Sequence, residues 1–175
     1  MDRSPGFLRR ARDGAPPGAR FVLADVAALP LSNCCVDGAY CWFTSIGYRG
    51  PAEDLALLQE AWRVSRPGAR FVVESRNWAT VAPGEYAMET SVGRMVDQVE
   101  RDDRGRLRTI RRYEPANGPP RQVEFSLNFY SAGEFAELLR TAGFAEVRVI
   151  DEEDKPFTAE TLRVAFLGRR PPVTS

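Results

Sequence analysis

A strand, a helix and a second strand in the middle of the chain constrain its fold most. Apolar runs at Gly38–Phe43 and Ala69–Glu74 are typical of buried parallel strands. Between them, Pro51–Arg66 places apolar side chains at helical spacing, with Glu53 and Asp54 in the first turn, where acids suit the helix dipole. Two parallel strands joined through a helix form a right-handed βαβ unit, so we predict an α/β fold.

A further strand is predicted at Arg20–Ala24, and Asp25 follows it directly. Open α/β sheets bind small ligands at the carboxyl ends of their strands, which makes Asp25 a candidate ligand contact. An acid after a strand is also a common turn residue, so both interpretations stay open. Before this strand, Ser4 suits a helix cap and Pro5 the first helical position, which predicts a short helix near the start of the chain.

The pattern changes over residues 86–130. Three segments there alternate apolar and polar residues: Glu89–Arg101, Arg106–Tyr113 and Arg121–Phe129. Turn residues separate them, which predicts an antiparallel β-meander with one face toward solvent. We interpret this stretch as a cap inserted into one domain that spans residues 1–175.

The end of the chain returns to the α/β pattern. Ser131–Gly143 begins with a serine and has Glu134 three residues later, the spacing of a capping box, so a helix is predicted there. A strand pair is predicted at Ala145–Ile150 and Thr161–Leu167.

Charge and composition exclude several functions. The 24 basic and 24 acidic residues cancel, so there is no net positive field for a nucleic acid or an anionic membrane, and a small or neutral partner is expected. The sequence has no histidine, which rules out histidine-based triads, bases and metal sites. Its three cysteines lack metal spacing, so no metal is predicted, and without a recognisable leader a cytoplasmic location is expected.

Four short motifs carry a resemblance to a known family. They are DRSPGFL at Asp2–Leu8, ADVAALP at Ala24–Pro30, VDGAY at Val36–Tyr40 and RVSRPGARF at Arg63–Phe71. In order and spacing they resemble the class I S-adenosylmethionine-dependent methyltransferases, and within them the bacterial small-molecule enzymes of the type 11 and type 25 groups. The resemblance covers nearly the whole chain.

The resemblance implies a Rossmann-like sheet and S-adenosylmethionine as cofactor. The chain starts where the family has the end of its second strand, so the first strand and its glycine-rich loop are expected to be missing. The strand that contains Tyr40 would then lack a neighbour on one side, with its backbone groups unpaired and buried. The resemblance implies that Asp2 binds the ribose hydroxyls, that Asp25 binds the adenine amino group and that the Val26 backbone contacts the adenine ring edge.

The resemblance also implies the side chains around the reacting atoms. Cofactor contacts are expected from Trp42 and Phe43, although packing in the core is the favoured interpretation of Trp42. Methyl transfer to an oxygen or nitrogen of a small molecule would use Glu74 or Tyr48 if a base is needed, and Glu74 also suits a turn cap. Five side chains are expected to contact the acceptor: Tyr48, Tyr86, Arg112, Phe129 and Tyr130.

Three alternatives remain open from sequence. The chain is a piece of a complete enzyme, a non-catalytic methyltransferase-like subunit without cofactor, or one part of a homo-oligomer or partner complex that completes the sheet. A nicotinamide-dependent oxidoreductase is disfavoured, because neither a Gly-x-Gly-x-x-Gly turn nor a Tyr-x-x-x-Lys pair is present.

Overall fold

The computed structural model describes residues 1–42, 45–103 and 106–173. The elements follow the chain in this order: α1 (Pro5–Asp13), β1 (Val36–Cys41), α2 (Pro51–Val64), β2 (Ser65–Arg76), a short 3-10 turn (Trp78–Thr80), β3 (Gly84–Thr90), β4 (Gly93–Arg101), β5 (Leu107–Pro115), β6 (Arg121–Leu127), α3 (Ala132–Thr141), β7 (Ala145–Asp151) and β8 (Arg163–Arg169).

The main sheet has the strand order β1-β2-β8-β7. Strand β1 runs parallel to β2, whereas β8 is antiparallel to both of its neighbours. Helices α2 and α3 contribute to one core with the sheet, in which Leu58, Val73 and Leu139 have 0% exposure. The α/β fold, the βαβ unit and the closing strand pair are therefore confirmed.

Both predicted helix starts are confirmed by their caps. The Ser4 side chain accepts a hydrogen bond from the Phe7 backbone, and Pro5 opens α1. At α3, the Ser131 and Glu134 side chains each bind the other's backbone, as a capping box requires. These starts depend on local chemistry, which is why the sequence suffices to predict them.

The strand predicted at Arg20–Ala24 is wrong. Within the described chain, that stretch forms only a parallel bridge between Asp2 and Leu23, with an Asp2 nitrogen to Val22 oxygen distance of 3.2 Å. A single bridge is too short a ladder for a strand. Strand β1 lies at the sheet edge, and its unpaired side is at the surface rather than buried, since Tyr40 is 77% exposed.

The meander forms a second sheet with the order β3-β4-β5-β6. The predicted antiparallel meander is confirmed. Its first predicted segment, Glu89–Arg101, contains the end of β3, a reversal of direction at residues 91–92 and all of β4. Gly93 permits this reversal, because its φ is +139° and a Cβ there would lie 2.3 Å from the Glu114 carbonyl oxygen. One face of the sheet is charged, and the other buries Val99, Leu107 and Leu127.

Helix α2 also holds the loop that precedes β1. The Glu60 carboxylate accepts a hydrogen bond from the Leu29 backbone at 2.7 Å and another from Arg63 at 2.6 Å. Arg63 in turn donates to the Leu29 and Leu31 carbonyl oxygens at 3.1 and 2.8 Å. The pair therefore fixes the position of a long irregular segment.

Replacing Glu60 with glutamine is expected to lower the free energy of unfolding by about 1 kcal/mol at neutral pH. The Arg63 hydrogen bond holds the pKa of Glu60 below its ordinary value of 4.5. The folded state thus favours the charged form, and its stabilising contribution is present above that value and lost as the pH falls through the folded pKa. The difference between E60Q and the parent should shrink on acidification in urea titrations.

The matched control for that experiment is Glu137→Gln. Glu137 pairs with Arg140 one turn away at 3.2 Å, and both side chains are more than half exposed. Exposed pairs of this kind contribute little. Equal pH dependence of the stability loss in E60Q and E137Q would contradict the role assigned to Glu60.

Candidate functional site

A cavity of about 280 Å³ lies between the first residues of the chain, the loop after β1 and the start of α2. Its wall includes Met1, Asp2, Val26, Tyr48, Arg49 and Asp54. Three predicted site residues, Asp2, Val26 and Tyr48, therefore line one cavity although they are far apart in sequence. This volume lies near the lower end of the range for small-molecule sites. We call it the first cavity.

Asp2 is held in the first cavity by its backbone and by one carboxylate oxygen. Its carbonyl accepts a hydrogen bond from the Ala24 nitrogen at 3.1 Å. Its Oδ1 accepts another from the Ser4 nitrogen at 2.7 Å, just before α1. Among the described residues, Oδ2 has no protein hydrogen-bond partner, so it is the oxygen that can accept from a ligand hydroxyl.

Asp25 stands beside this cavity and is already paired. Its Oδ1 accepts from the Ala27 nitrogen at 3.0 Å, which makes a tight turn. Both guanidinium nitrogens of Arg49 donate to the same carboxylate, at 3.0 and 3.1 Å. A ligand amino group that reaches Asp25 must therefore share the carboxylate with Arg49.

Asp54 joins the first cavity to the meander. Its carboxylate is 4% exposed and accepts hydrogen bonds from the Gly47 nitrogen at 2.9 Å, the Tyr130 hydroxyl at 2.7 Å and the Asn128 amide at 3.3 Å. The backbone nitrogen of Asn128 also donates to the Gly47 carbonyl oxygen at 2.7 Å. One buried acid thus connects α2, the loop after β1 and the segment after β6.

The two tyrosines near this network are expected to stay protonated near neutral pH. Burial raises the pKa of Tyr130, and the neighbouring Asp54 carboxylate raises it further. Burial also raises the pKa of Tyr48, although the positive charge of Arg111 acts in the opposite direction. Tyr130 therefore serves as a hydrogen-bond donor here rather than as a base.

A second cavity, of about 290 Å³, lies under the inner face of the meander. Tyr86 lines this second cavity, together with Trp78, Met88, Met95 and Phe125. Tyr86 donates its hydroxyl proton to the Ala82 carbonyl at 2.7 Å, which fixes the ring at the rim. The predicted acceptor contact Tyr86 is thus at a cavity, but not at the one that Asp2 lines.

The other predicted acceptor contacts are separated from one another. Phe129 and Tyr130 line a more open cleft of about 600 Å³ beside Arg49. The Arg101 guanidinium lies 5.3 Å from the centre of the Phe129 ring. Arg112 is exposed and pairs with Glu114 at 3.1 Å, so its charge is already matched.

The three remaining predicted residues also lie outside the first cavity or outside the described chain. Glu74 is 4% exposed in β2, where it forms an ion pair with Arg163 from the neighbouring strand. Trp42 is 45% exposed and packs edge-to-face against Tyr40 at a ring distance of 6.4 Å. Phe43 lies outside the described residues.

Asp54, Arg49 and the Asp97–Arg111 pair were not predicted as site residues. Asp54 appears in the sequence as an ordinary acid in the first turn of a helix. Its partners Asn128 and Tyr130 are 74 and 76 residues away, so no local pattern indicates burial. Within the described residues, no cluster of histidine, cysteine and acidic side chains is arranged to hold a metal ion.

Solved structures with a similar fold include several methyltransferases. The CcbJ methyltransferase of Streptomyces caelestis superposes with a TM-score of 0.72 at 20% identity, over 86% of this chain and 63% of that one. The sugar N-methyltransferase KedS8 of Streptoalloteichus gives 0.71 at 19% identity, over 96% and 68%. CalS10 of Micromonospora echinaspora, an amino pentose methyltransferase solved with S-adenosylmethionine bound, gives 0.70 at 21% identity, over 95% and 71%.

The fold is therefore that of the S-adenosylmethionine-dependent methyltransferases, as the sequence resemblance predicts. The chain spans less than two thirds of the length of CcbJ and slightly more than two thirds of the other two. No family profile and no curated protein matches the sequence. No described helix is long and apolar enough to cross a membrane.

Proposed function

We propose that this chain carries the cofactor and acceptor sites of a methyltransferase that acts on an oxygen or nitrogen of a small molecule. The observation that supports this most is the first cavity, where Asp2, Val26 and Tyr48 meet in a chain with a methyltransferase fold. KedS8 and CalS10 are described as methyltransferases of a sugar nitrogen and of an amino pentose, which favours a compact acceptor.

The residues of the first cavity fit the nucleoside part of S-adenosylmethionine. Asp2 Oδ2 offers a charged acceptor for ribose hydroxyls, which is stronger than a neutral one. Val26 lies in the same wall, where its backbone would meet the adenine edge. Asp25 can accept a hydrogen bond from the adenine amino group only if Arg49 releases one of its hydrogen bonds to the carboxylate. Arg49 therefore competes with the ligand for Asp25.

S-adenosylmethionine supplies a methyl group on an activated sulfonium, so the protein mainly provides proximity and orientation. When bound, S-adenosylmethionine would give its methyl group to the acceptor's lone pair and depart as S-adenosylhomocysteine, with Asp2 and Val26 placed to hold its nucleoside part. The acceptor's proton would pass to water, because burial raises the pKa of Tyr48 and its hydroxyl, protonated near neutral pH, cannot take up a proton. Asp54 keeps the loop that carries Tyr48 in place, and Glu74 stays in its ion pair with Arg163.

The test is release of S-adenosylhomocysteine by the purified chain. The chain is incubated with S-adenosylmethionine and with pooled small phenols, alcohols and amines, and the product is quantified by mass spectrometry. Release that depends on one pool supports methyl transfer. Cofactor binding without release above the no-acceptor background in every pool would contradict it.

A second candidate is a methyltransferase-like subunit that does not catalyse and whose sheet is completed by another chain. Strand β1 favours it, because it pairs on one side only within the described residues and exposes Tyr40. Exposed strand edges are templates for pairing with other chains. Light scattering of the purified chain separates the candidates: a stable oligomer without cofactor binding supports the subunit.

A further inference from the structure

The second cavity has a wall built mainly from apolar and aromatic side chains. Strands β3 and β4 place Tyr86, Met88 and Met95 on its face, and β6 adds Phe125. Trp78, from the 3-10 turn after β2, closes the other side and packs against the buried Val81, Val99 and Leu107. Methionine and aromatic side chains favour flat, apolar ligands, because they offer large polarisable surfaces.

The polar residues of this wall are Arg76, Thr109 and the pair formed by Asp97 and Arg111. Arg111 donates two parallel hydrogen bonds to Asp97, at 2.7 and 2.6 Å, and both side chains are mostly buried, at 28% and 17% exposure. The Arg111 guanidinium also lies 5.4 Å from the centre of the Phe125 ring. The charges of Asp97 and Arg111 cancel within this bidentate pair, and Arg76 adds a further positive charge to the lining of the cavity. It offers a donor and an acceptor side by side, which suits a hydroxyl group.

The second cavity also touches the first. The Tyr48 ring lies 5.9 Å from the Phe125 ring, so these two side chains form the contact between the two cavities. Tyr48 lines the first cavity, and Phe125 lines the second. A ring bound under the meander would therefore lie next to the proposed cofactor site, with the Tyr48 and Phe125 rings at the boundary.

We propose that the second cavity binds a hydroxylated aromatic ring as the methyl acceptor. One hydroxyl hydrogen-bonds to Asp97 and Arg111, and a second nucleophilic group on the ring is directed past Tyr48. As a statement about the acceptor, this inference rests on the proposed function. It departs from the sugar acceptors of KedS8 and CalS10, because most of the side chains that line the cavity are apolar or aromatic.

The three methionines of the chain make a direct test possible. Met88 and Met95 line the second cavity, whereas Met1 lines the first. With isotope-labelled methionine methyl groups, the chain gives three methyl signals, which Met88→Leu and Met95→Leu assign. Resorcinol, a neutral ring with two hydroxyls, is expected to shift the Met88 and Met95 signals at concentrations up to about 10 mM and to leave Met1 in place.

The contrasting ligands separate this inference from the proposed function. S-adenosylhomocysteine is expected to shift Met1 alone, and its failure would weaken the proposed function without touching the resorcinol result. Glucosamine is expected to leave Met88 and Met95 unchanged. Shifts of these two signals with glucosamine but not resorcinol, or no shift with either, would overturn the aromatic-ring proposal.

Variants complete the test. Tyr86→Leu is expected to weaken resorcinol binding about three- to tenfold, because one ring contact is lost. Asp97→Asn should weaken it by a similar factor, since the charged acceptor is lost while the size is kept. The matched control is Glu124→Gln, which changes the exposed pair with Arg108 on the outer face of the same sheet. Equal affinities in all three variants would contradict the assignment.

Discussion

Replacing Asp54 with alanine is expected to lower the free energy of unfolding by about 2–4 kcal/mol. The substitution removes the shared acceptor of the Gly47 nitrogen, the Tyr130 hydroxyl and the Asn128 amide. Because the site is buried, these donors lose their partner without free access to water. Urea denaturation followed by circular dichroism measures the change.

The neighbouring residue provides the control. Glu53 lies in the same first turn of α2 and has the same charge, but its side chain is exposed. Glu53→Ala is expected to change the stability by less than about 1 kcal/mol, the usual size of a helix-dipole contribution. If D54A and E53A lost equal stability, the charge near the helix start, rather than the buried network, would be the relevant feature.

Replacing Asp2 with alanine is expected to weaken S-adenosylhomocysteine binding about ten- to a hundredfold. The loss follows from the proposed pairing of Asp2 Oδ2 with ribose hydroxyls, since hydrogen bonds to a charged group are the stronger kind. The folded structure should persist, because the backbone bonds of Asp2 to Val22 and Ala24 do not need the side chain. Calorimetric titration gives both affinities.

The control for Asp2 is a surface acid away from the cavity. Asp37 lies at the start of β1, is 84% exposed and pairs with Arg66. Asp37→Ala is expected to bind S-adenosylhomocysteine with the parent affinity. Unchanged affinity in D2A would remove Asp2 from the site and leave the first cavity without its ribose contact.

Features set by neighbouring residues were predictable from sequence. The caps at Ser4 and Ser131 and the helix Pro51–Val64 depend on side chains within one or two turns, and the structure agrees with them. The prediction of a strand at Arg20–Ala24 was wrong because a strand depends on residues that are distant in sequence. Its apolar run is suitable, but a strand also needs a partner, and only the Asp2 bridge is formed in the described chain.

The site was predictable only where a motif marks it. Asp2 and Val26 lie in two of the motifs and Tyr48 in the turn after the Tyr40 strand, and all three line one cavity, while their roles stay predictions. Asp54 and the Asp97–Arg111 pair depend on contacts across the fold and have no local pattern. Arg49 was missed for the same reason, because its partner Asp25 is 24 residues away. Sequence thus indicates the family, and the structure shows which carboxylates are already paired.

The most direct test of the central proposal is calorimetric titration of the chain with S-adenosylmethionine. A saturable heat with one ligand per chain is expected, accompanied by a shift of the Met1 methyl signal, because Met1 and Asp2 lie in the same cavity wall. Absence of heat up to about 1 mM ligand, with the protein folded by circular dichroism, would contradict cofactor binding by this chain.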